Sequence, residues 1–120
     1  MATKRIKSYE EACKKLKLKS AVPSFPNLSA PERKAMQAHY KLVIIARALN
    51  GDWKPDWLDW DQNKYYPWFV FRGGRFVFLD VPYGYTFSYL GSRLCFRSRE
   101  LAEYAGKTFT DLYHEYFHIE

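Results

Sequence analysis

The sequence predicts a single α+β domain: two N-terminal helices, a small antiparallel β-meander of three or four strands, and a C-terminal helix packed on the sheet. Helix-capping signals occur towards both ends of the chain, whereas alternating aromatic and β-branched residues flank a Gly-Gly pair near its centre. The length of 120 residues suits one domain, residues 1–120, and residues 1–7 are expected to be a flexible basic start.

The first helix is predicted from a capping box at Ser8 and Glu11 and extends to about Lys17. In this box the Ser8 hydroxyl accepts from the Glu11 amide, and the Glu11 carboxylate accepts from the Ser8 amide. The side chains expected to be buried are Tyr9, Ala12, Cys13 and Leu16. Two prolines then exclude a helix over residues 20–28, which is expected to be an ordered linker.

A second capping box, formed by Ser29 and Glu32, begins the second helix, with Pro31 in the first turn, where its missing N–H is harmless. Asn50 and Gly51 are predicted to end it in a left-handed C-cap. Its apolar residues share one broad arc: Ala35, Ala38, Leu42, Val43, Ala46 and Leu49, flanked by Ile44 and Ile45. We expect this helix to be central and covered on more than one side. His39 lies near the arc and is expected to be a hydrogen-bonded core histidine rather than a metal ligand.

The clearest strand signal is a hairpin in which residues 65–72 and 75–81 flank Gly73-Gly74. A two-residue loop places residue 72 opposite 75, 71 opposite 76 and 69 opposite 78. One face then carries Phe69, Phe71, Phe76 and Phe78, and the other carries Trp68, Val70, Val77 and Leu79. Residues 83–90 and 93–97, joined near Gly91-Ser92, are predicted to complete the meander.

The last helix is predicted to begin at the N-cap Ser98, with Glu100 and Glu103 favourably placed against its N-terminal dipole. One continuous apolar stripe runs along it: Leu101, Ala105, Phe109, Leu112 and Tyr116.

A catalytic zinc site is one interpretation of His114-Glu115-Tyr116-Phe117-His118, because H-E-x-x-H places two imidazoles on one helical face. Both histidines fall opposite the apolar stripe, however, so we expect them to be exposed. No metal site is predicted, and a zinc metallopeptidase stays a remote alternative.

No other motif indicates catalysis. The four aspartates of the connector, residues 52–63, fail the calcium-loop pattern at Lys64 and Val70, and are expected to form caps and Asx-turns in a solvated loop. Cys13 and Cys95 lack an activating partner, and two cysteines are too few for a disulfide scaffold. We therefore expect a non-enzymatic protein of a reducing cytoplasm, without a cofactor, a small-molecule substrate, a signal peptide or a membrane span.

Charge and aromatic content indicate the kind of partner. Residues 1–47 carry eleven Lys or Arg side chains against three Glu side chains, and the connector carries three Trp. Cations beside aromatic rings are typical of nucleic-acid binding. The predicted phosphate contacts are Lys14, Lys15, Arg33, Lys34, Lys41, Arg72 and Arg75, and the predicted stacking residues are Trp57, Trp60 and Tyr66. The alternatives are a protein–protein interaction surface, or solvated helix faces around an aromatic core.

Four stretches suggest a family: residues 40–46, 50–57, 64–69 and 91–107, which read YKLVIIA, NGDWKPDW, KYYPWF and GSRLCFRSRELAEYAGK. Over about residues 8–117 the chain resembles a group of short, uncharacterised proteins of phages and mobile elements of gut Bacteroidales, which has no established activity. The resemblance implies a phage-encoded accessory protein in a bacterial host cytoplasm. The protein-binding alternative is then a virion component or an inhibitor of a host defence system.

Overall fold

A computed structural model describes residues 6–84 and 93–117. The elements are α1 (Tyr9–Leu16), α2 (Ala30–Asn50), β1 (Lys64–Tyr65), β2 (Trp68–Arg72), β3 (Arg75–Asp80), β4 (Tyr83–Gly84), α3 (Arg99–Thr108) and α4 (Thr110–Phe117). The predicted α+β class is confirmed. Most of the predicted basic start, most of the predicted strand 83–90, the Gly91-Ser92 junction and His118 lie outside the described residues.

Helix α1 begins as predicted, because the Ser8 hydroxyl accepts a hydrogen bond from the Glu11 amide at 3.1 Å. Lys17 ends the helix in the left-handed conformation, with φ of 60°. The second half of the predicted box differs, since the Glu11 carboxylate accepts from the amide of Lys7, at 2.9 Å, instead of that of Ser8. Of the predicted core residues, Tyr9, Ala12 and Cys13 are buried and Leu16 is half-buried.

Helix α2 is the central helix, as predicted. The capping box of Ser29 and Glu32 is present, and the middle and end of the helix are buried at Ala38, Leu42, Ile44, Ile45, Ala46, Ala48 and Leu49. The linker runs back along one side, where the Gln37 side-chain amide donates to the Pro23 carbonyl at 3.1 Å. On another side α4 packs against α2. The predicted left-handed cap is wrong. Gly51 has φ of 65° but ψ of −129°, a backbone conformation that glycine adopts readily. The connector begins directly after Gly51.

The predicted hairpin register is confirmed, with Arg72 opposite Arg75, Phe71 opposite Phe76 and Phe69 opposite Phe78. The four phenylalanines share one face. Phe69 stacks on Phe76 with ring centroids 4.8 Å apart and meets Phe78 edge-on at 6.1 Å.

The predicted antiparallel strands are present, but within the described residues they form two separate two-stranded sheets, β1–β4 and β2–β3. Pro67 lies between β1 and β2, and Pro82 lies between β3 and β4. Proline has no N–H to donate to a ladder, and the register also shifts at Trp68. Residues 93–97 form only an isolated bridge, Phe96 to Tyr65, instead of a strand.

The predicted single C-terminal helix is divided at Phe109, which has φ of −112° and ψ of 30°. The Thr110 hydroxyl donates to the Gly106 carbonyl at 2.7 Å, and such a side-chain bond competes with the backbone ladder. Both halves pack on the β2–β3 hairpin as predicted for one helix. Tyr113, outside the predicted stripe, is buried with its ring 4.8 Å from Phe69.

The hydrogen bond predicted for His39 is not found, since its Nδ1 is buried without a hydrogen-bond partner among the described residues. The ring instead packs on Tyr116, with centroids 4.9 Å apart. Desolvation lowers the pKa of His39, because burial disfavours the imidazolium.

The hairpin and the residue before it come very close to α3 at Gly106. A Cβ atom there would lie 2.7 Å from both the Phe78 ring and the Pro67 side chain, which is less than a van der Waals contact. A buried glycine at this position therefore sets the distance between helix and hairpin.

We expect Gly106→Ala to lower the free energy of unfolding, although alanine favours helices. Overpacking outweighs the helix-propensity gain, so the net loss is about 1–2 kcal/mol. Urea denaturation measures the change. Thr108→Ala, at an exposed position of the same helix, is the control and should not be destabilising. A Gly106→Ala protein as stable as the parent contradicts the close packing described.

Candidate functional site

A cleft of about 880 Å³ lies between the ends of α1 and α2, the connector, and residues 93–95. Buried or half-buried residues from the two helices and the 93–95 segment line it: Leu16, Val43, Asn50 and Cys95. The connector contributes Trp53, Pro55 and Trp57, which are half-buried. Exposed residues complete it: Arg47, Gly51, Asp52, Lys54 and Arg93.

The side chain of Asn50 joins two sides of this cleft. Its Nδ2 donates to the carbonyl of Cys95 at 3.0 Å, and its Oδ1 accepts from the amide of Arg97 at 3.0 Å. Both partners are more than 40 residues away in sequence, and Asn50 itself is buried. The end of α2 is thereby fixed to the segment that carries Arg93 and Cys95.

The connector is ordered by its own polar side chains. The Asp56 carboxylate accepts from the Leu58 amide at 3.0 Å, and the Asp59 carboxylate accepts from the Asp61 amide at 2.9 Å. These are the Asx-turns expected from the sequence. The Gln62 side chain closes the loop, since its Oε1 accepts from the Asp56 amide and its Nε2 donates to the Lys54 carbonyl at 3.3 Å.

Lys64, which the sequence does not single out, supports this loop from its buried side. The side chain is fully buried, and its Nζ donates to the Gln62 carbonyl at 3.2 Å and to the Asp59 carbonyl at 3.5 Å. The same ammonium lies 5.1 Å from the ring centroid of Trp57, a cation–π contact. Trp57 therefore presents to the cleft a ring whose position is fixed by a buried charge.

The open side of the cleft is positively charged. Arg47, Lys54 and Arg93 are exposed there, with Asp52 as the opposing charge. The salt bridges found among residues 6–84 and 93–117, Arg99–Asp80 and Lys107–Glu103, involve none of these three cations. Their charge is thus available to an anionic ligand.

Cys95 is in the lining but is not an activated nucleophile. Burial raises the pKa of its thiol to about 11, and the nearby Lys64 charge opposes that rise only in part. At neutral pH the reactive thiolate is scarce, in agreement with the sequence interpretation.

Several residues predicted to contact phosphate instead make contacts within the protein. Lys15 Nζ donates to the Ala48 carbonyl at 2.6 Å, and Arg33 donates to the carbonyls of Phe25 and Leu28. Lys41 Nζ lies 5.8 Å from the centroid of the Tyr9 ring. Lys14 and Lys34 are exposed on α1 and α2.

These predicted residues are not collected in one place. Arg33 and Lys34 lie near the start of α2, about 20 Å along its axis from Arg47 near the other end. Arg72 and Arg75 flank the hairpin turn. Trp60 is 62% exposed in the connector, and Tyr66 stacks on Trp68 with centroids 6.0 Å apart. Of the predicted set, only Trp57 lines the cleft.

Several cleft residues were not predicted from the sequence. They differ in how far the sequence could have indicated them. Arg47 lies in the last turn of α2, and Trp53 and Lys54 lie in the Trp-rich connector. Basic residues adjoining that connector could have marked them. Arg93 is about 40 residues further along, and only the tertiary contact through Asn50 brings it here.

His114, the first residue of the H-E-x-x-H motif, does not lie as expected. His114 is half-buried instead of exposed, and its ring stacks on Phe76 with centroids 5.0 Å apart. The hairpin covers this side of α4, which a helical wheel cannot reveal. No group of three or more His, Cys, Asp or Glu suited to a metal ion occurs within the described ranges.

A second concave surface is an apolar groove of about 480 Å³ along β2. Six consecutive residues, 66–71, line it together with Phe76 and Phe117. Trp68, Phe71 and Phe117 are each about half exposed, so part of the predicted aromatic surface is open to solvent.

Comparison with protein-family models, curated proteins and solved structures found no match. No helix among the described residues is both long enough and apolar enough to cross a membrane.

We expect Asn50→Ala to lower the free energy of unfolding by about 2–4 kcal/mol, because it leaves the Cys95 carbonyl and the Arg97 amide without a partner. Chemical denaturation followed by circular dichroism measures the change. Asn27→Ala, in the exposed linker, should alter the stability by less than about 0.5 kcal/mol. Equal stability of the two variants is the result that contradicts a bridging role for Asn50.

The thiol of Cys95 should alkylate slowly. In a Cys13→Ser background, the rate of reaction with iodoacetamide should rise about tenfold per pH unit from pH 8 to 10, since the thiolate fraction keeps rising up to the pKa of about 11. The urea-unfolded protein, as control, should level off above an ordinary thiol pKa of about 8.5. A plateau near pH 9 in the folded protein contradicts the burial described.

Proposed function

We propose that the protein is a non-enzymatic accessory protein that binds nucleic acid through the cleft beside Asn50. The observation that carries the proposal is the joint presence of three exposed cations, Arg47, Lys54 and Arg93, and two half-buried tryptophans, Trp53 and Trp57, in one cleft. Phosphate groups and base rings are the ligand parts that such a lining recognises.

Each part of the lining has a distinct role. The arginine guanidinium groups can donate two parallel hydrogen bonds to one phosphate, whereas the lysine supplies a point charge. An indole ring offers a flat apolar face, on which a base gains about 1–3 kcal/mol by stacking. Lys14, near the end of α1, and Lys34, Arg72 and Arg75, further away, remain predicted outer contacts for a longer strand.

The resemblance to phage and mobile-element proteins agrees with such a role. A small nucleic-acid-binding protein without catalytic chemistry would act on phage or host nucleic acid in the bacterial host. This assignment to a phage is part of the proposal.

Fluorescence anisotropy with labelled oligonucleotides tests the proposal. With three phosphate contacts, the affinity for a single strand should fall about twentyfold between 50 and 200 mM salt. Arg93→Gln should weaken binding and reduce that loss to about sevenfold, because one contact is gone. Absence of binding to any oligonucleotide at 50 mM salt rules the proposal out.

Lys107→Gln provides a matched control. It also removes one positive charge from an exposed side chain, but from α3 and outside the cleft. It should leave the affinity and its salt dependence unchanged. If Lys107→Gln and Arg93→Gln weaken binding equally, then net charge and not the cleft determines the affinity.

A protein–protein interaction module is the second candidate, favoured by the apolar groove along β2. Its exposed Trp68, Phe71 and Phe117 are of the aromatic type that dominates interface energetics. Such binding would depend little on salt and would weaken with Trp68→Ala. Pull-downs from a Bacteroidales host lysate, with the wild type and Trp68→Ala compared, distinguish it from binding through the cleft.

A further inference from the structure

We infer that the cleft binds one unpaired nucleotide, at a strand end or in an unstacked stretch, and does not bind a base-paired duplex. The inference rests on the proposed nucleic-acid function and specifies the ligand of the same site. It follows from the size of the cleft, the position of its tryptophans and the distribution of its cations.

The volume of about 880 Å³ is within the range of about 300–1,000 Å³ typical of sites that enclose a small molecule. A nucleotide with its phosphate is a ligand of that kind. A duplex is far wider than such a cleft, and a surface that follows it is extended rather than enclosed.

The tryptophans point to the same ligand. A base can stack on an indole ring only if one of its faces is free, and inside a duplex both faces of each base are covered by neighbouring base pairs. Trp53 and Trp57 are half-buried in the wall of the cleft instead of standing on an open surface. A base must therefore leave its stack to reach them.

The ring of Trp57 is held in position in the unliganded protein. The buried Lys64 ammonium lies against its ring, and the carbonyls of Asp59 and Gln62 hold that ammonium. A ring fixed in this way loses little conformational freedom on binding, which favours affinity.

The cations surround the cleft instead of forming a track. Arg47 comes from the last turn of α2, Lys54 from the connector, and Arg93 from the segment before Cys95. Side chains from three separate parts of the chain line one cleft, as for the few phosphates next to one unpaired nucleotide. A protein that follows a nucleic-acid backbone needs an extended row of such contacts.

Competition against a labelled single-stranded decamer tests the inference. The unlabelled competitors are the same single strand, a blunt hairpin duplex, the mononucleotide 5′-dAMP and inorganic phosphate. The single strand should compete at least tenfold better than the duplex. The mononucleotide should displace the decamer, and phosphate should do so at least tenfold less well, since it lacks a base.

Trp53→Leu supplies the second arm of the test. Loss of one stacking ring should weaken the binding of both the decamer and 5′-dAMP by about five- to 150-fold. Trp53→Phe, which restores a ring, should recover part of that affinity. Tyr83→Leu, at an exposed tyrosine outside both the cleft and the apolar groove, is the control and should change neither affinity. Circular dichroism verifies the fold of each variant.

The outcomes separate the two proposals. If no oligonucleotide binds, the proposed function itself is wrong. If single strands bind but the duplex competes equally, or 5′-dAMP competes no better than phosphate, the function stands and the present inference is overturned. Unchanged affinity in a folded Trp53→Leu protein overturns it as well.

Discussion

The buried amide of Asn50 is the constraint on which the arrangement of the molecule depends. It connects the end of the central helix to the backbone of Cys95 and Arg97, one residue before the N-cap of α3. Phe96, between those two partners, is paired with Tyr65 in β1. One side chain therefore sets the mutual positions of α2, β1 and the start of α3, and the cleft lies beside this junction. A buried amide with both ends hydrogen-bonded is specific, because any displacement leaves polar groups unpaired.

Two prolines and one glycine divide the β part into two regions. Pro67 and Pro82 interrupt the ladder, so β1 pairs with β4, while β2 and β3 pair with each other and form a hairpin that packs on α3 and α4. Gly106 permits the hairpin to approach α3 closely at Phe78. As a result, the molecule carries a positively charged cleft with tryptophans in its lining and, separately, an apolar groove along β2. The two surfaces suit partners of different chemistry.

Buried charge and exposed charge have different roles in the cleft. The buried ammonium of Lys64 contacts two carbonyl oxygens and an indole face in place of water. These contacts order the connector. Arg47, Lys54 and Arg93 remain exposed to solvent. Many of the basic residues that dominate the first half of the sequence are instead distributed over helix surfaces or donate to nearby carbonyl groups, as Lys15 and Arg33 do. A count of charges along the chain does not distinguish these roles.

The sequence by itself determined the features that depend on neighbours within a few residues. The caps at Ser8, Ser29 and Ser98, the central position of α2 and the hairpin register all follow from local hydrogen bonding and hydrophobic period. The sequence also singled out Trp57, which lines the cleft. Tertiary structure alone decided the burial of Lys64, the covering of His114 by the hairpin, and the meeting of Arg93 with Arg47 and Trp53. These features depend on contacts between residues that lie far apart in the chain, for which local period and spacing contain no information.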